Sequence, residues 1–260
     1  MYLSTRGVEQ YYEVMGQGTP LLCLPAFPFT HMMYREQQAL AEYARLILPD
    51  YRGTGRSSFT DGPYTMELLA DDMLGLLDAL EIEQAVVLGV SMGGYVAFSL
   101  LDRHPERVCG LILADSRADA DDAVTAERRQ LTVTGLRMQG ASVLRERVNA
   151  LVGASTLAQR AEFVAEIQGL VAAERAAGLA EITRGLALRA DRQALLARIH
   201  VPALVLCGEE DTMSPPAINR AIAERIAGAT FHLLPGAGHL SPWEQPQQFN
   251  RYVGEFLVRL

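Results

Sequence analysis

One five-residue stretch, Gly89–Gly93, places a serine where it could act as a nucleophile. It follows the apolar run Ala85–Leu88, which is typical of a buried strand, and precedes a helix-like segment that begins near Gly94 and ends near His104. A sharp turn from strand to helix pushes the hydroxyl of Ser91 out above the sheet edge, and the flanking glycines leave room for the backbone to double back. The stretch therefore predicts nucleophilic chemistry at Ser91. The alternative is a solvated serine in a glycine-rich turn.

A serine hydroxyl is a weak nucleophile near neutral pH, so Ser91 needs a base within hydrogen-bond distance and an acid that orients the base. In parallel sheets, such partners lie in loops that follow strands. His239 lies in the glycine-rich segment 235–242, the histidine loop, which follows the last apolar run. We predict that His239 is the general base, and the alternative is a structural turn histidine. The other histidines have different interpretations: a helix end for His104, a turn for His200, a strand for His232, and a loop for His31.

The candidate acid is Asp211. It is one of three acidic residues in the segment 208–216, the acid loop, which follows the preceding apolar run. Asp211 lies furthest from the strand end, just before prolines that can begin a helix. A rival is Asp115, which ends the strand after the Ser91 helix. A third reading is that the acids of this loop are simply solvated or cap the helix.

The elements that must position these residues alternate along the chain. Apolar runs separated by helical patterns predict βαβ units and a mostly parallel sheet covered on both faces. Residues 1–16 predict two short strands that form a hairpin at the sheet edge. Further strands are expected near 21–24, 46–48, 85–88, 108–114, 202–207 and 230–234, and helices near 34–43, 64–80, 94–104, 216–227 and 246–260.

Residues 117–195, the cap segment, break this alternation. They are rich in Ala, Arg, Glu and Leu, contain no proline and have no strand-like run. We predict several helices, broken near Gly140, Gly153 and Gly178. Because the alternation resumes afterwards, the sequence predicts a core formed by residues 1–116 and 196–260, with the cap segment inserted as a helical cap. An ordinary run of surface helices is the alternative.

Composition excludes several classes of function. The 260 residues are 49% hydrophobic and carry a net charge of -8, so nothing favours a nucleic acid or an anionic membrane as partner. No signal peptide or membrane-length apolar run is apparent, and a cytoplasmic location is the default expectation. The three cysteines form no CxxC motif, and the sequence predicts no metal site and no cofactor. A homodimer is compatible with the sequence.

The chain order Ser91, Asp211, His239 resembles that of the α/β-hydrolase fold family. The segment Asp50–Ser57 is similar to the family's DxRGxGxS loop. The resemblance extends over almost the whole chain and is strongest to bacterial carboxylesterases and 3-oxoadipate enol-lactonases. It implies an eight-stranded α/β-hydrolase fold with an inserted helical cap. A serine rather than an aspartate nucleophile disfavours dehalogenase or epoxide hydrolase chemistry.

The resemblance also implies an oxyanion hole formed by the backbone N–H groups of Phe27 and Met92. The family usually has His-Gly before the first of these residues, whereas this chain has Pro25-Ala26. Proline cannot donate a backbone hydrogen bond, but Phe27 keeps its N–H group. Oxyanion donors contribute about 3 kcal/mol each, so the path of this loop affects the rate substantially.

The leading expectation is a serine hydrolase that cleaves small-to-medium apolar esters or lactones. Its pocket would be lined by Phe29 and His31, next to Phe27 and Met92. A carbon–carbon bond hydrolase or a cofactor-free perhydrolase would use the same three residues. A different class is a non-catalytic receptor for a small ligand, because the fold alone does not fix function.

Overall fold

The computed structural model describes residues 1–260, which contain eight strands. The strands are β1 Tyr2–Thr5, β2 Val8–Met15, β3 Pro20–Leu24, β4 Arg45–Pro49, β5 Ala85–Val90, β6 Val108–Ala114, β7 Ala203–Gly208 and β8 Thr230–Leu234. They form a single sheet in the order β1-β2-β4-β3-β5-β6-β7-β8. The β1–β2 and β2–β4 pairs are antiparallel, and all other pairs are parallel. The predicted hairpin at the sheet edge and the mostly parallel sheet are confirmed.

Helices cover both faces of the sheet. The α-helices are α1 Met66–Ala79, α2 Met92–Arg103, α3 Ala123–Gln139, α4 Val148–Leu151, α5 Ala154–Gln159, α6 Ala161–Ala173, α7 Ala176–Ala187, α8 Pro216–Arg225, α9 Ser241–Glu244 and α10 Pro246–Leu257. Four 3-10 helices span His31–Glu42, Pro105–Arg107, Ala141–Arg147 and Gln193–Arg198. None of the helices combines the length and the apolar character that crossing a membrane requires.

The central strands are buried on both sides because their side chains alternate between two apolar layers. In β3, Leu22 and Leu24 pack into the layer that contains α1, α2 and α8. Leu21 and Cys23 pack into the opposite layer, which contains α10 and the 3-10 helix His31–Glu42. This period-two alternation explains why these strands are continuous apolar runs in the sequence. The two layers hold the carboxyl ends of the strands in fixed positions.

Two local features go beyond the predictions. The segment predicted as a helix over 34–43 is a 3-10 helix over His31–Glu42. Its position depends on distant groups, since Tyr34 Oη donates to the Leu24 carbonyl at 2.7 Å and Gln37 Nε2 donates to the Pro242 carbonyl at 2.8 Å. Apolar spacing does not encode such anchors.

The second feature concerns Gly178, which lies in the first turn of α7, and the break predicted near it falls just before that turn, at Glu174 and Arg175 between α6 and α7. A Cβ atom on Gly178 would overlap the carbonyl oxygen of Gly53, so the glycine permits a close approach of two backbones. The helix breaks near Gly140 and Gly153 lie where they are predicted, at the ends of α3 and before α5.

Candidate active site

Ser91 occupies a tight connection between β5 and α2. Its backbone has φ 50° and ψ -111°, a left-handed conformation that is costly for a residue with a side chain. A Cβ on Gly93 would overlap the Leu24 carbonyl at the end of β3, and one on Gly89 would press against Gly93 itself. The two glycines are therefore needed for α2 to pack directly against the strand ends. The turn leaves Ser91 with 9% of its surface exposed.

The structure brings together Ser91, His239 and Asp211, which lie far apart in the sequence. Ser91 Oγ lies 2.7 Å from Nε2 of His239, and Nδ1 of His239 lies 2.8 Å from Oδ2 of Asp211. An ionised carboxylate can only accept, so Nδ1 carries the proton and Nε2 is free to accept from the serine. A hydroxyl, an imidazole and a carboxylate in this linear order can move a proton away from the hydroxyl.

The acid loop holds Asp211 in a fixed orientation. Its Oδ1 accepts hydrogen bonds from the backbone N–H groups of Met213 at 2.7 Å and Ser214 at 2.9 Å, which leaves Oδ2 for His239. The loop also packs tightly on the histidine loop, because a Cβ on Gly208 would overlap the carbonyl oxygens of Ala237 and Gly238. Acid and base are thus positioned by two loops in direct contact.

The rival acid, Asp115, does not contact His239 and points to backbone groups. Its Oδ1 accepts from the Gly208 N–H at 2.8 Å. Its Oδ2 accepts from the N–H of Ser241 at 3.2 Å and from the hydroxyl of Ser241 at 2.5 Å. Asp115 therefore ties the acid loop to the histidine loop. Like Ser91, it has a left-handed backbone, with φ 51°, at the end of its strand.

Burial and nearby charge have different effects on the pKa values of Asp115 and His239. Complete burial, together with the nearby negative charge of Asp211, raises the pKa of Asp115 well above its ordinary value. Burial works to lower the pKa of His239, but the charge and hydrogen bond of Asp211 outweigh it and raise that pKa. The site thus stabilises a positive charge on the imidazole, which is what a general base requires when it takes a proton.

Asp115, Asp211 and Cys207 have ligand atoms within 4.8 Å of one another, a spacing compatible with a metal ion. The carboxylate oxygens, however, already accept hydrogen bonds from N–H, O–H and ring groups. The Cys207 thiol faces the carbonyl oxygens of Gly208 and Ser214. A cation bound here would have to displace these donors, so the arrangement fits a hydrogen-bonded cluster better than a metal centre.

The loop after β3 leaves one backbone amide without a protein acceptor. Ala26 N–H points to Met33 Sδ at 3.2 Å, and the Phe29 N–H donates to the Ala26 carbonyl at 2.7 Å, whereas the Phe27 N–H donates to no protein group. Met92 is the first residue of α2, where an N–H group has no acceptor within the helix. Both amides predicted for the oxyanion hole are therefore available, despite Pro25-Ala26.

The two residues predicted to line the pocket have different surroundings. Phe29 is buried and packs edge-on against Trp243, with ring centroids 4.9 Å apart. His31 is held by Asp50, whose Oδ1 lies 2.7 Å from Nδ1, and its Nε2 lies 3.5 Å from Oε1 of Glu13. Because both ring nitrogens of His31 face carboxylates, its place in the pocket stays a prediction.

Sequence reasoning missed one buried acid in this region, Glu244, which ends α9 five residues after His239. Its carboxylate accepts hydrogen bonds from the N–H groups of Gly238 and Leu240, on either side of His239, at 2.9 and 3.2 Å. The only signal in the sequence is an acid that directly follows Trp243, between Pro242 and Pro246. Such a signal does not reveal which groups the acid contacts.

The eight-stranded sheet and the tight turn at Ser91 are features of α/β-hydrolases. So are the acid loop and the histidine loop, which bring Asp211 and His239 to that turn. A model of the alpha/beta hydrolase fold matches residues 19–246. The chain therefore belongs to the α/β-hydrolase fold family, as its resemblance to that family predicts, and it is a hydrolase.

Individual relatives resemble the chain over most of its length. A 3-oxoadipate enol-lactonase from Acinetobacter baylyi is 31% identical over 99% of this chain and 96% of the relative. A 2-hydroxymuconate semialdehyde hydrolase from a Pseudomonas species is 32% identical over 84% of this chain and 78% of the relative. Among solved structures, a thermophilic esterase from Thermogutta terrifontis matches with a TM-score of 0.95 and 35% identity, over 99% of this chain and 96% of the esterase. The predicted similarity to esterases and enol-lactonases is confirmed.

Proposed function

We propose that the chain is a serine hydrolase that cleaves small-to-medium apolar carboxylic esters or lactones through an acyl-enzyme on Ser91. The observation that carries the proposal is the continuous contact from Ser91 through His239 to Asp211, at 2.7 and 2.8 Å. Burying an imidazole and a carboxylate costs free energy. Activation of Ser91 explains why both groups are buried next to it.

In the first step, the Ser91 oxygen attacks the substrate carbonyl carbon while its proton passes to Nε2 of His239. The imidazolium that forms is stabilised by Asp211 through the proton on Nδ1. His239 then donates its Nε2 proton to the leaving alkoxide, which departs as an alcohol or, for a lactone, as the far end of the acyl group. Water, deprotonated by His239, releases the acid from Ser91 by the same steps in reverse order.

The negative charge that develops on the carbonyl oxygen would be held by the N–H groups of Phe27 and Met92. These amides make no competing hydrogen bond that the reaction would have to break. The approach of α2 to the end of β3, which Gly93 permits, brings the two segments side by side. Donors fixed in advance by backbone packing need little rearrangement when the charge appears.

The apolar character of nearby groups supports an uncharged substrate. Phe27 packs against both apolar layers of the fold, and Phe29 lies against Trp243. The names of two relatives, an enol-lactonase and an esterase, support the same bond class. Whether the natural substrate is an ester or a lactone depends on the cap segment, which we propose is an inserted helical cap over the core of residues 1–116 and 196–260.

The proposal is tested by turnover of p-nitrophenyl esters and simple lactones, together with labelling by a fluorophosphonate and location of the adduct by mass spectrometry. We expect one adduct, on Ser91. Ser91→Ala should abolish labelling and lower kcat by at least about 10³-fold. A matched control is Ser99→Ala, which removes another buried serine from α2 and should leave kcat within about twofold, as expected for a site away from the chemistry. Tight binding of a small molecule with no turnover and no adduct would instead support a receptor.

A second candidate is hydrolysis of a carbon–carbon bond, supported by the similarity to a 2-hydroxymuconate semialdehyde hydrolase. The same three residues could serve it, but the leaving group is then a carbanion that must be protonated. Turnover of a vinylogous 1,5-diketone in preference to p-nitrophenyl esters would favour this reading.

A perhydrolase would instead form peracid from an ester and hydrogen peroxide. A cytoplasmic location and a homodimer stay predictions.

A further inference from the structure

Glu244 has no part in the proposed reaction, yet its carboxylate contacts the backbone on both sides of the base, His239. Its side chain is almost completely buried, with 5% of the residue surface exposed. Burial raises the pKa of this carboxyl, while four hydrogen-bond donors around it favour the ionised form. A buried carboxylate is tolerated only when its oxygens are satisfied, so its partners indicate what the residue holds in place.

One oxygen of Glu244 holds the histidine loop. Oε1 accepts from the N–H groups of Gly238 and Leu240, which are the residues immediately before and after His239. Two amides that flank one residue and share one acceptor fix the backbone from which that side chain projects. The direction of the His239 ring therefore depends on where this oxygen lies.

The other oxygen holds the cap segment. Oε2 accepts from the Gly153 N–H at 2.8 Å and from the Thr156 hydroxyl at 2.6 Å, both at the beginning of α5. No side chain separates the two loops, because a Cβ on Gly153 would lie 3.0 Å from the Gly238 nitrogen. A single carboxylate thus joins the start of α5 to both neighbours of His239.

The acid loop makes a parallel contact with the same turn of α5. Glu210, the residue before Asp211, accepts from the Ser155 N–H at 2.8 Å and from the Ser155 hydroxyl. Its own N–H donates to the Ala237 carbonyl at 2.8 Å, in the histidine loop. Glu210 is more exposed than Glu244, so water can replace its cap contacts more easily. Glu244 is buried, so movement of α5 would leave its carboxylate without the donors that α5 supplies.

We propose that Glu244 is a positioning residue that makes the orientation of His239 depend on the docking of α5 of the cap segment. This inference rests on the proposed function, since it assigns His239 the role of base. When the start of α5 is docked, all four donors fix the carboxylate and the His239 backbone. When α5 moves away, Oε2 loses two donors, the carboxylate turns towards water, and the amides on either side of His239 lose their fixed acceptor.

The test compares Thr156→Val with Thr156→Ser. Valine keeps the shape of threonine but removes the hydroxyl, and serine keeps the hydroxyl. We expect Thr156→Val to lower kcat for p-nitrophenyl acetate by about tenfold with little change in KM, because a small misplacement of the base reduces the chemical step. Thr156→Ser should retain kcat within about twofold. The control Thr132→Val removes a buried hydroxyl that bonds only within α3 and should not change kcat.

A second readout is independent of turnover. The proton on Nδ1 of His239 should give a downfield ¹H resonance, and we expect it to shift or broaden in Thr156→Val but not in Thr156→Ser or Thr132→Val. A wild-type protein that neither labels nor turns over any ester would contradict the proposed function, while this resonance would still test the link to α5. The inference is overturned if Thr156→Val keeps both the wild-type kcat and the wild-type resonance. It is also overturned if Thr156→Ser fails as Thr156→Val does.

Discussion

The carboxyl edge of the sheet and the cap segment meet at His239, but they are built differently. At the sheet edge, each candidate catalytic residue lies in a turn or loop that follows a strand, and Ser91, Asp211 and His239 are themselves buried. The cap segment is built from helices alone, including the short α4 and α5, and carries exposed apolar side chains on α3, among them Leu131 and Met138.

The contacts of the two regions differ in the same way. The sheet edge is fixed by strand pairing and by buried carboxylates, whereas the cap segment joins the core through buried apolar side chains such as Leu179 and Ile182, and through points of close approach. Two of these points are backbone approaches at glycines, Gly178 to Gly53 and Gly185 to Tyr64. The difference leads us to expect the largest effects on kcat at the sheet edge, and smaller effects, on stability and through the contacts of α5 with Glu244, in the cap segment.

The largest expected effect lies at the sheet edge and separates the two buried aspartates. Asp211→Asn should lower kcat by about 10³- to 10⁴-fold, because an amide cannot hold His239 in the tautomer that accepts from Ser91. Asp115→Asn should lower kcat much less, since Asp115 contacts the backbone of Gly208 and Ser241 and not the ring. Steady-state kinetics on both variants, with circular dichroism to check folding, measures the difference. An equal or larger loss in Asp115→Asn would show that the acid is misassigned.

The pH dependence of kcat/KM tests the same edge. His239 must be neutral to accept a proton, and Asp211 raises its pKa above the ordinary 6.5. We therefore expect kcat/KM to fall as the pH drops through that raised pKa, and to be constant above it until another group titrates. Removing the negative charge in Asp211→Asn should move this limb to lower pH. A wild-type limb below pH 6.5 would contradict the pKa shift that the geometry implies.

A smaller effect should appear where the cap segment docks. A Cβ on Gly185 of α7 would overlap the Tyr64 carbonyl, so Gly185→Ala should destabilise the protein by about 1–3 kcal/mol. Gly169→Ala is the matched control, because a Cβ there meets nothing within 4 Å. It should be neutral or stabilising by up to about 1 kcal/mol, since alanine favours a helix. Urea denaturation measures both values. Similar stability in the two variants would argue against tight docking of α7.

The smallest effect is expected at an exposed ion pair between the core and the cap segment. Arg35 pairs with Glu166 of α6, whose side chain is 49% exposed. The Arg35 charge and hydrogen bond lower the pKa of Glu166, but solvent screens such pairs. Glu166→Gln should cost less than about 1 kcal/mol of unfolding free energy in urea. It should leave kcat unchanged within error. A loss comparable to that of Gly185→Ala would mean that surface charge, and not backbone packing, docks the cap segment.

Much of the fold and part of the site could be predicted from local sequence. Apolar runs predicted the core strands because those strands are buried on both faces. The glycines around Ser91 predicted the turn because a Cβ would overlap Leu24 at Gly93 and the backbone of Gly93 at Gly89. The 3-10 form of the helix at His31–Glu42 and the close approach of Gly178 to Gly53 could not be predicted. Both depend on contacts with segments distant in the chain.

The sequence by itself determined the family, the order of the strands along the chain and the residues that we propose for the chemistry, with two aspartates left as candidates for the acid. It did so because strand burial, the tight turn and loop glycines are local requirements. Only the tertiary structure decided which buried aspartate faces the imidazole. Asp115 and Asp211 follow neighbouring strands, and the left-handed backbone at Asp115 accompanies a side chain that contacts Gly208 and Ser241. Tertiary structure likewise assigned Glu244 its partners, since Gly153 lies 91 residues away in the chain.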